Sequence, residues 1–96
     1  MAMVYSEKCL EQVLTKEIKK LRGLALKFVS PGTAGVPDRI VLLPNTRIVF
    51  VELKAPGKKM RLLQLKRKEQ LEALGFKVYC IDSIKAISDF IREVME

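Results

Sequence analysis

The chain has 96 residues, 49% of them hydrophobic, with 18 Lys and Arg against 11 Asp and Glu, no histidine, and a formal net charge of +7. This length predicts one domain over residues 1–96 with a small core, and the lack of any apolar run of about 18 residues predicts no membrane span. Without histidine there is no Ser-His-Asp or Cys-His pair, so any hydrolytic chemistry must rest on carboxylates, lysine and metal.

The first five residues are too short and lack the basic start of a signal peptide, so a cytoplasmic protein is expected. Ser6 is a plausible N-cap, and Leu10, Val13, Leu14, Ile18 and Leu21 then follow helical spacing up to Gly23. Glu7 and Glu11 lie four apart, on one face of that helix. Residues 24–29 read as a first strand. The loop Ser30-Pro31-Gly32-Thr33-Ala34-Gly35 follows, with small residues and two glycines that let backbone approach a ligand. Ser30, and Lys27 just before it, could meet a phosphate there. Residues 40–43 and 48–53 read as two strands joined by the turn Pro44-Asn45-Thr46. The second run is apolar at nearly every position and so is expected to be buried on both faces.

Downstream, the turn 55–61 carries Lys58, Lys59 and Arg61. Its Gly57-Lys58 pair lacks the glycine of a P-loop five residues earlier, where Glu52 stands, so no nucleotide cofactor is expected. Residues 62–74 read as a helix with Leu62, Leu65, Leu71 and Leu74 inward and Lys66, Arg67 and Lys68 outward, ended by Gly75. Residues 77–81 form the last strand. Asp82 or Ser83 caps a final helix whose stripe, Ile84, Ile87, Phe90, Ile91 and Val94, serves as core or as a contact surface between copies. A strand-helix-strand crossover over 48–81 places the last strand parallel to its neighbour. Cys9 and Cys80 form no C-x-x-C pair and are expected to be small buried thiols.

Three charged residues stand out in the apolar hairpin: Asp38 at the mouth of one strand, and Glu52 and Lys54 at the end of the next. Alternation puts Glu52 and Lys54 on one face with Leu53 pointing away, and hairpin pairing brings Asp38 beside Glu52. Charged groups are seldom buried without a partner or a metal, so this is a metal-and-base constellation. The basic balance adds a polyanionic partner, nucleic acid before an anionic membrane surface.

Pro37-Asp38, a spacer, then Glu52-Leu53-Lys54 resembles the active-site pattern of the PD-(D/E)XK nucleases. Gly35-Val36-Pro37-Asp38, Phe50-Val51-Glu52-Leu53-Lys54 and Gln64 together resemble the VRR-NUC (virus-type replication-repair nuclease) branch, whose small stand-alone phage members are similar to Holliday-junction resolvases. The similarity runs from about Glu7 to Phe90. It implies an α/β fold with a restriction-endonuclease-like core, α-β-β-β-α-β plus a C-terminal helix, around a mixed sheet. It implies an Mg²⁺- or Mn²⁺-dependent endodeoxyribonuclease acting on branched DNA, four-way junctions included, as a homodimer without a membrane partner. In that reading Asp38, Glu52 and the Leu53 carbonyl bind metal, Lys54 positions water or stabilises charge, and Gln64 lies near the metal. A first-helix glutamate completes the shell, Glu11 by its distance to the next strand, with Glu7 the other candidate. Lys58, Lys59, Arg61, Lys66 and Arg67, with Lys27 and Ser30, would hold DNA phosphates. Leu62 and Leu63 depart from the small or polar residues usual before the glutamine. Two other classes stand beside this one: a basic nucleic-acid-binding module in which Asp38, Glu52 and Lys54 form a structural ion pair, and an assembly domain whose basic face is only solvated.

Overall fold

The computed structural model describes residues 6–95. Its elements are α1 (Glu7–Lys20), β1 (Leu24–Lys27), β2 (Arg39–Leu43), β3 (Arg47–Leu53), α2 (Leu62–Ala73), β4 (Lys77–Ile81) and α3 (Ile84–Met95). The strands form one mixed sheet in the order β1-β2-β3-β4. The β1–β2 and β2–β3 pairs are antiparallel, and the α2 crossover brings β4 parallel to β3. This is the expected α/β order with its mixed sheet.

Local chemistry sets the element ends. The Ser6 hydroxyl accepts the Cys9 amide at 3.1 Å and starts α1, while the Ser83 hydroxyl accepts the Ala86 amide at 3.0 Å and starts α3. At the end of α1 the left-handed residue is Arg22, at φ 63°. Gly23 has a different task, because a Cβ there would lie 2.6 Å from the Leu42 carbonyl oxygen where α1 turns onto the sheet. The β2–β3 turn places Asn45 and Thr46 in the left-handed region, at φ 66° and 59°, which suits the twist of a tight hairpin.

The two faces of the sheet differ. On one, α1 and α3 lie over Val41, Leu43, Val49, Val51, Leu53 and Ile81, and Leu10, Leu14, Ile18, Ile87, Phe90 and Val94 complete a single core. The α3 stripe is therefore spent in the core and is not a contact surface. On the other face, Phe28, Phe50 and Phe76 stack in sequence with centroids 5.7 and 5.5 Å apart. There α2 packs chiefly against β4. Of the leucines that the spacing turns inward, only Leu71 is half-buried: the helix has no buried residue, and Leu62, Leu65 and Leu74 are exposed. The helix lies at the sheet's rim, so Leu24 and Leu26 of β1 on this same face are also exposed. Cys80 corrects a second expectation, since it is exposed, while Cys9 is half-buried and both are free.

Candidate active site

The pairing of Arg39 with Val51 and Ile40 with Phe50, carried one step further, sets Asp38 opposite Glu52. Asp38 is held from two sides. Its carbonyl accepts the Phe28 amide at 2.9 Å, and its carboxylate oxygens accept the Leu53 amide at 3.3 and 3.4 Å. Glu52 is 5% exposed. Its Oε2 lies 3.5 Å from Lys54 Nζ and accepts from Gln64 Nε2 at 3.3 Å. Its Oε1 is buried and has no hydrogen-bond partner. Gln64 works at both ends, because its Oε1 also accepts the Arg61 amide at 2.8 Å and closes the first turn of α2. The folding of α2 is thereby tied to the orientation of the Glu52 carboxylate.

Both carboxyl groups are pushed above the usual range. For Asp38 burial is the largest cause and the Glu7 charge adds to it, against the Leu53 amide, Arg39 and Lys54. For Glu52 burial again leads, followed by the charge of Asp38, with Lys54 opposing. Two acids facing each other, one buried and one half-buried, with one oxygen unpartnered, form a local excess of negative charge that a cation relieves. The donors are all oxygen, which suits a hard ion such as Mg²⁺ or Mn²⁺. Among the described residues no group of three or more Cys, Asp or Glu side chains is placed to hold an ion. An ion here would take two carboxylates and complete its shell with backbone oxygen, water or phosphate, a pattern usual for Mg²⁺.

No protein-family model matches the chain. A phage protein named "Putative nuclease p44", from Acyrthosiphon pisum secondary endosymbiont phage 1, is 52% identical over 77 residues, 80% of this chain and 83% of that protein. A solved structure described as a VRR_NUC domain superposes with a TM-score of 0.85 at 30% identity, covering 90% of this chain and 94% of the other. The chain belongs to the VRR-NUC family. The fold expected from the motif, a PD-(D/E)XK-like mixed sheet with three helices, is the one this VRR-NUC chain adopts.

Within this VRR-NUC domain the structure brings Asp38, Glu52, Lys54 and Gln64 together, with the Leu53 amide bonded to Asp38. Glu11 is engaged elsewhere. Its Oε2 lies 2.5 Å from Arg39 Nη2, in an ion pair that the sequence reading missed. The α1 carboxylate whose charge acts on Asp38 is Glu7. Of the cations assigned to phosphate, Lys58, Lys59, Arg61 and Lys66 are exposed, and among the described residues none is in an ion pair. Arg67 is instead part of the scaffold: its Nε donates to the Ala34 carbonyl at 2.8 Å and its Nη1 to Gln70 at 2.7 Å. Lys27 pairs in register with Arg39, so it points to the sheet face opposite Asp38 and Glu52. Ser30 is half-buried, and its carbonyl closes the loop turn by accepting the Thr33 amide at 3.2 Å. Two neighbours of the site went unnoticed. Cys80 is the register partner of Glu52, and although the residue is exposed overall, partial burial of its thiol, followed by the Glu52 charge, pushes the thiol up. Arg39 was legible in principle, since it follows Asp38 at an inward position of β2 and a charge there needs a partner.

Proposed function

We propose that this protein is a nuclease that hydrolyses phosphodiester bonds of branched DNA with the help of Mg²⁺ or Mn²⁺, working as a homodimer. The observation that carries the reading is the buried, unpartnered Glu52 Oε1 beside Asp38. A structural core would pair that oxygen or replace it, because a lone buried polar atom costs about 1–3 kcal/mol. Asp38 and Glu52 would hold the ion, with the Leu53 carbonyl as a further ligand. An ion held there would supply Lewis-acid chemistry, offsetting charge on the scissile phosphate and making water easier to deprotonate.

This chain's own residues do the rest. The Leu53 amide and the strand pairing fix Asp38, and Gln64 fixes Glu52. Lys54, anchored 3.5 Å from Glu52, presents an ammonium where the attacked phosphate gains charge and can orient the attacking water. Exposed Glu7 at the head of α1, whose charge acts on Asp38, would be the helix carboxylate to join the shell. Lys58, Lys59, Arg61 and Lys66 would grip backbone phosphates, giving affinity without sequence preference.

The similarity to a phage protein named as a nuclease and to a VRR_NUC domain supports hydrolysis of nucleic acid. The exposed apolar side chains of β1, Leu24 and Leu26 at 55% and 45%, support association of two copies, which would supply two sites for paired cuts. The deciding experiment incubates the protein with linear, nicked, flap and four-way DNA, with and without Mg²⁺ or Mn²⁺. Asp38→Asn is the control. Metal-dependent cutting of branched forms, lost in the variant, is expected. Binding without cleavage under every metal condition would leave a nucleic-acid-binding module instead.

A further inference from the structure

The Arg39 guanidinium is the one cationic side chain buried among the described residues, at 6% exposure, and the site described above makes no direct use of it. Arg39 shares its sheet face with Val41 and Leu43, beneath α1, while Asp38 just before it faces the other way. Each arm of the fork is committed. Nη2 pairs with Glu11 on α1, and Nη1 donates to the Asp38 carbonyl at 2.9 Å. The fork thus links the backbone that carries one candidate ligand to the helix that carries another.

We propose that Arg39, with Glu11 as its counter-ion, is a positioning residue for the carboxylate site, a role that rests on the metal-dependent reading above. It acts along two routes. Through Nη1 it fixes the Asp38 peptide, and with it the direction of the Asp38 side chain. Through Glu11 it ties the first turns of α1, already seated in the core by Leu10 and Leu14, to the start of β2. Residues four apart share a helix face, so with Glu11 drawn to Arg39, Glu7, one turn earlier, lies on the side of α1 toward the start of β2. Glu11 therefore serves the site as an anchor and touches neither ion nor substrate. The Glu11 side chain is 47% exposed, so the pair is only half-buried and neutral residues of similar volume should remove it at modest cost in stability. What they could not supply is the second donor that the Asp38 carbonyl has beside the Phe28 amide, or a polar tie between α1 and the start of β2.

The test uses the full chain and the double variant Glu11→Leu/Arg39→Met, beside Glu11→Gln and Arg39→Lys. Mn²⁺ binding is measured by calorimetry at a temperature where each protein is folded, and kcat and KM are measured on a four-way junction. The double variant should bind Mn²⁺ about tenfold more weakly, the scale on which groups supporting a metal ligand act. It should lose kcat with KM for DNA unchanged. Arg39→Lys should lie between it and wild type, because a lysine keeps the pair with Glu11 and gives up the fork. Should the double variant fail to fold, Glu11→Gln and Arg39→Lys carry the same readouts. Folded variants with wild-type Mn²⁺ affinity and kcat would overturn the positioning role and leave the proposed function standing. A wild-type protein that binds no Mn²⁺ would overturn the metal reading, and this role with it. A wild type that binds Mn²⁺ and cuts no nucleic acid would overturn the nuclease alone, since the variants' loss of Mn²⁺ affinity still reports on Arg39.

Discussion

Replacing Glu52 with glutamine should make the metal-free protein more stable at neutral pH. The change keeps the shape of the side chain and lets the amide oxygen retain its contacts with Gln64 and Lys54. It removes a charge that is 5% exposed and faces Asp38, and it puts an amide NH₂, a donor for that facing carboxylate, where Oε1 has no partner. An unsatisfied buried polar atom costs about 1–3 kcal/mol, and more when charged. In a domain of this size each kcal/mol moves Tm by roughly 4–8 °C, so the variant should melt at least ~4 °C higher at pH 7 in EDTA. The pH dependence follows from the raised carboxyl. A group that binds its proton more tightly folded than unfolded costs nothing below its unfolded value, about 4.3 for glutamate. The cost grows as pH rises through the higher folded value. The two melting curves should therefore converge near about pH 4 and separate above it. Mg²⁺ or Mn²⁺ should then raise the wild-type Tm more than the variant's, because an ion that binds the folded form alone stabilises it. Thermal melts across pH, with and without metal, provide the assay. A variant that melts at or below wild type at pH 7 in EDTA, or a gap of equal size at pH 4, refutes the reasoning.

Changing Lys58 and Lys59 together to alanine should flatten the dependence of DNA affinity on salt by about two counterions, roughly 1.8 in the log-log slope; titrations from low to moderate salt read this, and an unchanged slope removes the 55–61 turn from the interface. Gly35→Ala should lower Tm and cleavage together, by about 1 kcal/mol or more of stability. The residue sits at φ 84°, and a Cβ would lie 2.8 Å from both the Leu63 carbonyl oxygen and its Cγ, forcing the loop before Asp38 off the start of α2. Leu26→Lys, on the exposed apolar face of β1, should shift the protein to a monomer in sedimentation at micromolar concentration and turn paired cuts into single nicks; a wild type that sediments as a monomer ends the dimer reading.

Much of this was open to reading in the sequence, for physical reasons that differ by element. Helical spacing with a serine cap placed α1 and α3 well, because each buries one face in the same core. The apolar run of β3 correctly signalled burial from Val49 onward, with only the hairpin end exposed. The Asp38–Glu52 meeting followed from period-two geometry and a tight turn. The leucines of α2 misled for a complementary reason. Their spacing is as helical as that of α1, yet spacing records a face and not whether another layer covers it. Arg67 misled because a cation in a basic run looks solvated until the fold brings the Ala34 carbonyl to it across 33 residues. The choice between Glu7 and Glu11 could not be made from one helix face. What bears on it is the pairing of Glu11 with Arg39, on a strand that begins 19 residues after α1 ends.

A structural ion pair and a metal site can be told apart by what the lysine leaves undone. In a structural pair the charges should satisfy one another, because removing a partner from a buried pair costs about 3–5 kcal/mol and selection favours closing it well. Here Lys54 meets Glu52 at 3.5 Å through Oε2, makes no hydrogen bond to Asp38, and leaves Oε1 bare. One ammonium stands against two acids, both still pushed toward the protonated form. The arrangement lacks a further positive charge on the Oε1 side. Lys54→Met separates the readings through metal. In EDTA at pH 7 the variant should melt below wild type under either view, since two facing carboxylates lose their cation. If the site holds metal, Mn²⁺ should restore more stability to the variant than it adds to wild type, because the ammonium no longer competes for Glu52, while cleavage stays lost. If Mn²⁺ moves the melting temperature of neither protein, Asp38, Glu52 and Lys54 are a structural cluster, and the catalytic assignment falls.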